Sequence, residues 1–294
     1  MPTPTSRATP PTQVLRYAAF TDDPAGGNPA GIVFEADELS DAEMQRIATV
    51  VGYSETAFVT GLAGHPDADL RIRYFSPLAE VDFCGHATIA TAVAIGDVTG
   101  SVRSIGLVTN VGRISVDLEA RPGRGPLATL ISVPGSARRA TNAELDESLA
   151  ALGWSRADLH PDYPAAVGFA GNDHLIVPVA TRSRLADLDY DFGALVAIMA
   201  RANWTTVHLT WPESSTVWHA RDPFPPGGIR EDPATGAAAA AFGGYLRTFR
   251  LVPLPADIVI HQGVDLGRPS LLRLHVAEDD PRLRVSGAAV ALSG

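Results

Sequence analysis

The chain contains no lysine: all 23 of its basic residues are arginine. Pyridoxal-phosphate chemistry needs a Schiff-base lysine and a P-loop needs its lysine, so both are excluded. Cysteine is nearly absent as well. Cys84 stands alone, so the chain can form no intrachain disulfide and build no cysteine-based zinc site, which suits a reducing cytoplasm. Positive charge is in deficit, with a formal net charge of −10. Nucleic acids and anionic membranes reward clustered Lys and Arg, so neither is expected as a partner. No apolar run reaches the length of a membrane span. The opening MPTPTSRATPPTQ lacks the apolar core of a signal peptide and reads as a disordered tail. The eight histidines, His65, His86, His174, His219 and His261 among them, show no HExxH or His-x-His spacing, so no metal is expected. The glycine-rich stretches miss GxGxxG, and GxSxG is missing too. Catalysis is left to carboxylates, histidine and backbone amides, with no cofactor.

What is present is ample apolar material. A hydrophobic fraction of 46% against 19% charged residues is that of a soluble globular protein, and 294 residues suit one large domain or two ordinary ones. Residues 14–20 and 31–34 read as extended, with the turn-rich TDDPAGGNPA between them. Residues 39–52 read as a helix. Ser40 and Glu43 have capping-box spacing, Met44, Ile47, Ala48 and Val51 form one apolar face, and Gly52 suits a left-handed terminus. Strands are expected at 54–60, with Glu55 near the start, and at 70–75. HATIATAVAIG is small and apolar all round, the mark of a helix buried on every side. The order RIRYFSP, AEVDFCG, buried helix returns loosely as an extended 217–221, then REDPATG, then AAAAAFGGYL. This is a weak internal duplication with a joint near RPGRG at 121–125. It implies two similar α+β halves with a cleft between them.

Two helices begin at glycine-containing turns, near Gly85 and Gly236. Helix N-termini expose unpaired amides, and two facing one cleft would bind a carboxylate; equally, these are ordinary tight helix entries. Glu55 lies in the mostly apolar YSETAF, where desolvation would make it a base near neutral pH. Local sequence by itself favours a strand-edge carboxylate facing water. Asp232 reads as a first-turn acid or as a site group, and His86 as a helix-end histidine or as a proton donor.

Taken in order, AFTDDPAGGNPAGIVF, LSDAEMQRIA, SETAFV, RYFSP, FCGHATIATA, REDPATGAAA, QGVDLGRPS and RVSG resemble the PhzF-like family of phenazine biosynthesis, which shares the diaminopimelate epimerase fold. The resemblance implies an α+β protein of two pseudo-symmetric domains, each a curved antiparallel sheet wrapped around a central helix. It implies a tail at 1–12, an N-terminal domain at 13–125, a C-terminal domain at 126–281, and a final strand, 282–294, returning to the first domain. It also implies a cytoplasmic homodimer. By its motifs the catalytic base falls on Glu55, with His86 and Asp232 assisting. Gly85, His86, Thr235, Gly236 and Ala237 fall on the substrate-binding positions. The implied activity is a cofactor-independent isomerisation that moves a proton on a small carboxylated substrate. A one-base epimerase, a dehydratase and a non-catalytic binding protein of the same fold are the alternatives. Ala237 stands where the phenazine enzyme has a serine that contacts the substrate carboxylate, a loss worth about 1.5–3 kcal/mol. Cys84 resembles the first of two catalytic cysteines in the related epimerases. With no second cysteine a two-thiol mechanism is excluded, and Cys84 is expected to be a buried, small apolar residue.

Overall fold

A computed structural model describes residues 13–61 and 70–293. The expected tail at 1–12 and His65 lie outside the described residues. The first half of the chain runs β1 (Leu15–Ala19), β2 (Asn28–Val33), α1 (Asp41–Val51), β3 (Thr56–Thr60), β4 (Leu70–Phe75), β5 (Glu80–Val81) and α2 (Gly85–Thr99). It continues through β6 (Ile105–Thr109), β7 (Gly112–Arg121), β8 (Arg124–Pro134) and β9 (Ser136–Arg139). Next come α3 (Asn142–Leu152), β10 (Ala166–Phe169), β11 (Asp173–Pro178), α4 (Arg182–Ala186), α5 (Phe192–Ala202), β12 (Trp204–Pro212) and β13 (Val217–Pro223). The chain closes with β14 (Glu231–Asp232), α6 (Gly236–Thr248), β15 (Ala256–Gln262), β16 (Ser270–Val276), β17 (Arg282–Gly287) and β18 (Ala289–Ala291).

These elements make an α+β fold in which one large, mostly antiparallel sheet joins the strands. Its order repeats itself. β1–β2 and β10–β11 are hairpins, and β2–β3 and β11–β12 are parallel pairs whose connections run through helices. Further on, β5 and β14 each add two residues to the strand before them. The chain then passes through α2 or α6 and returns parallel in β4–β6 or β13–β15. The order seen in RIRYFSP–AEVDFCG and HARDP–REDPATG is therefore a repeated strand–strand–helix unit. The two repeats are stitched by β8 against β17, and β18 pairs with β1.

The helix forecast at 39–52 closes on both signals. Ser40 and Glu43 cap each other's backbone, and Gly52 takes the left-handed conformation (φ 72°). Its face of Met44, Ile47 and Ala48 packs on Val33, Phe58 and Phe75. Helix α2 is buried without a break from His86 to Gly96, as an all-round apolar sequence requires. Helix α6 is the counterpart, and small residues let strands come close. A Cβ on Gly243 would sit 2.7 Å from a Leu283 methyl, and one on Gly244 would sit 2.8 Å from the Ser136 nitrogen. Both helices belong to one core cluster, while α3 and α5 cover a second against β10–β12. Among the described residues, no helix is long and apolar enough to cross a membrane.

Candidate active site

Glu55 precedes β3, and its carbonyl accepts a hydrogen bond from the Gly31 amide at 3.2 Å. The residue is thereby held where the chain enters the sheet. Its side chain is only 13% exposed, so the strand-edge carboxylate facing water is corrected: Glu55 lines a pocket. Burial pushes its pKa above the ordinary carboxylate value, against hydrogen bonds from Ser54 and Cys84 that lower it.

His86 opens α2. Its Nε2 lies 3.4 Å from Glu55 Oε2 and 3.4 Å from Ser54 Oγ, and its Nδ1 lies 3.3 Å from Cys84 Sγ. Burial pushes the imidazole pKa down and outweighs the opposing charge of Asp232. A neutral ring with its proton on Nε2 would donate to Glu55, which also accepts the Cys84 thiol proton.

Cys84 is buried, as expected, but it is not merely apolar filler. It contacts His86 and hydrogen-bonds Glu55, and burial followed by the Glu55 charge pushes its pKa well up. Glu55, Cys84 and His86 bring one donor atom each to within 4.8 Å of one another. Linear spacing could not reveal this group, because its members come from two elements joined only by folding. The firmly held thiol proton would have to leave before the sulfur could bind a cation.

Asp232 faces the same pocket from the second repeat. It is buried, and burial pushes its pKa up to about 6, with the charges of Glu55 and Asp222 adding to the rise and His86 and Thr235 opposing it. The carboxylate is held on both oxygens. Asn28 Nδ2 donates to Oδ1 at 2.7 Å, and Thr235 Oγ1 donates to Oδ2 at 2.6 Å. Gln262 locks the turn by accepting from the Thr235 amide at 3.0 Å and donating to the Asp232 carbonyl at 2.8 Å.

The two helix starts meet across this pocket. A Cβ on Gly85 would stand 3.9 Å from the Ala237 nitrogen and from Gly236 Cα. The Thr235 side chain makes no cap hydrogen bond to α6, and in α2 the Ala87 amide donates to the Cys84 sulfur, so the amides of Gly85, His86 and Gly236 are the ones directed at the pocket. Two partial positive charges converge on a small space. Glu55, Gly85, His86, Asp232, Thr235, Gly236 and Ala237 all line it. Phe83, Asn172, Thr205, Thr206 and Phe224 line it as well, and sequence reasoning did not single them out. Nor did it single out Asn28 and Gln262, although both lie inside the NPAG and QGVDLG segments that carry the resemblance. Behind Thr206 runs a fully internal chain. Thr206 Oγ1 donates to Asp222 at 2.9 Å and meets His174 Nδ1 at 2.8 Å, and His208 Nδ1 reaches Asp222 at 2.9 Å.

A family model described as phenazine biosynthesis-like protein matches residues 17–294. A protein named trans-2,3-dihydro-3-hydroxyanthranilate isomerase, from Pseudomonas aeruginosa, is 33% identical over 277 residues, covering 94% of each chain. A protein named an uncharacterized isomerase, from Deinococcus radiodurans, is 35% identical over 273 residues, covering 91% of this chain and 87% of its own. The crystal structure of a Bacillus anthracis phenazine biosynthesis protein of the PhzF family superposes with a TM-score of 0.85 at 27% identity, covering 96% of this chain and 97% of its own. With the match running through both repeats and both helix starts, the chain belongs to the phenazine biosynthesis-like PhzC-PhzF family.

Proposed function

We propose that this chain is an isomerase that moves a proton on a small carboxylated substrate, with Glu55 as the base. The observation that carries this reading is the pairing of a desolvated Glu55 with two helix N-termini that meet in one pocket. The amides at Gly85, His86 and Gly236 hold the substrate carboxylate. As a C–H proton leaves, negative charge spreads toward that carboxylate, and the same amides and helix dipoles stabilise it. Glu55 takes the proton, the double bond shifts, and the protonated Glu55 returns the proton to another carbon. Burial supports this, since a raised pKa brings the carboxyl nearer to the proton it must exchange. His86, neutral and beside Glu55, orients it and the substrate. Asp232, held by Asn28 and Thr235, positions or protonates the far side.

The test uses the compound named for the Pseudomonas relative, trans-2,3-dihydro-3-hydroxyanthranilate, in D2O. Turnover in which the moved hydrogen stays largely protium, and loss of turnover in Glu55→Gln, is the expected result. Full turnover by Glu55→Gln refutes the assignment of the base. Asp232 is a second buried carboxyl in the pocket, and this favours one other outcome: label at a retained stereocentre without a double-bond shift, the mark of an epimerase.

A further inference from the structure

The pocket that holds Glu55 is small, about 80 Å³. It does not end there. A second cavity of about 340 Å³ shares Phe83, Asn172, Gly236 and Ala237 with it. That cavity has the volume of a ligand site rather than of a packing defect. Its walls are mainly apolar. Leu130, Ile131 and Val133 come from β8, Ile114 from β7, Val285 from β17 and Phe169 from the end of β10. Arg113, Ser132 and Asn172 supply polar groups, and Ala237 presents only a methyl to both compartments. Val111, Val133 and Phe169 stand among the exposed large hydrophobics of the described residues, 60%, 49% and 37% accessible, and all three belong to this cavity. Apolar side chains left wet beside a polar reaction pocket gain from any apolar group that covers them.

We propose that the substrate carries an apolar side group, an alkyl chain or an aryl ring, on the carbon skeleton next to its carboxylate. This group fills the chamber between β8 and the β10–β11 turn. The inference rests on the function proposed above, because that reading puts the carboxylate at the two helix starts. Val133 and Phe169 then act in specificity: they touch the side group and not the reacting atoms. Ala237 fits this arrangement, since a hydroxyl at the junction would face the apolar group.

Ligand-observed NMR titration of acetate, pentanoate and phenylacetate tests the idea. Each buried methylene is expected to tighten binding about threefold to fourfold, and phenylacetate to bind about 10- to 100-fold tighter than acetate. Val133→Asp, and separately Val111→Asp on the β6–β7 turn, should remove most of that gain and leave acetate binding unchanged. Both positions are about half exposed, and their substitution tests the chamber from two elements. Equal affinities across the series overturn this inference and leave the proposed carboxylate site standing. Failure of all three acids to bind overturns both. If Val133→Asp leaves phenylacetate binding intact but dissociates an oligomer, a second copy of the chain covers the chamber and the inference is wrong.

Discussion

Replacing Asp232 with asparagine removes a charge that the fold holds away from water. The native carboxyl titrates at about 6 against an ordinary value of 3.8, and burial is the largest cause. Between those two pH values the folded chain holds a proton that the unfolded chain has lost. Stability therefore falls as pH rises through that window, and above about pH 6 the native state bears a cost on the order of 3 kcal/mol. The side chain introduced by Asp232→Asn would keep the hydrogen bond from Asn28. Its amide nitrogen would turn toward Thr235 Oγ1, which now donates to Asp232 and already accepts from Gln262 at 3.0 Å. That mismatch costs about 1 kcal/mol. The expected result is a variant about 2 kcal/mol more stable than the parent at pH 8, with the advantage gone by pH 4. Urea unfolding of both proteins at intervals from pH 4 to pH 8 measures this directly. A stability difference that stays constant over that range refutes the reasoning, because it would mean that Asp232 does not titrate as a desolvated carboxyl. A gain in stability with a loss of activity would mark Asp232 as a residue kept for function at the expense of the fold.

Asp222→Ala should destabilise the protein by about 3 kcal/mol, since it strips the partner from buried His208 and Thr206; a chemical-denaturation midpoint unchanged from the parent counts against the network. Gly244→Ala should cost about 1–3 kcal/mol, because the new methyl meets backbone atoms of Gly135 and Ser136 that no rotamer change can move; thermal unfolding reads the drop. Cys84 should react with iodoacetamide at pH 8 at least about tenfold more slowly than the same thiol in the urea-unfolded chain, because burial and the Glu55 charge keep it protonated. As the sole cysteine, it gives a single mass adduct, and equal rates in the two states would contradict its placement.

Much of the local structure was legible. The Ser40–Glu43 box, the closing Gly52 and the apolar face of α1 are short-range relations, and the structure shows each of them. The all-apolar HATIATAVAIG announced a helix buried on all sides, because only complete enclosure makes such a sequence favourable. Strand edges were less exact: β3 begins at Thr56, one residue beyond Glu55, since hydrogen bonding to neighbouring strands decides where a ladder starts. In the stretch from β9 to β12, α3 carries the same short-range signals, a Thr141–Glu144 capping box and a left-handed Gly153, and was as legible as α1.

The candidate site divides along the same line. Residue types and motif order pointed to Glu55, His86 and Asp232, and the absence of lysine and of a second cysteine removed whole classes of chemistry. Whether Glu55 faces water or a pocket was not decidable locally, because the strand that follows it is compatible with either. The sheet decided it by placing α2 and α6 start to start. The same closure brought Asn28 onto Asp232 across 204 residues and turned Cys84 from a small apolar residue into a neighbour of Glu55 and His86. Composition and spacing determine which groups a chain has to work with. Burial sets their protonation, and burial belongs to the assembled fold: a carboxylate becomes a base only when other parts of the chain take the water away from it.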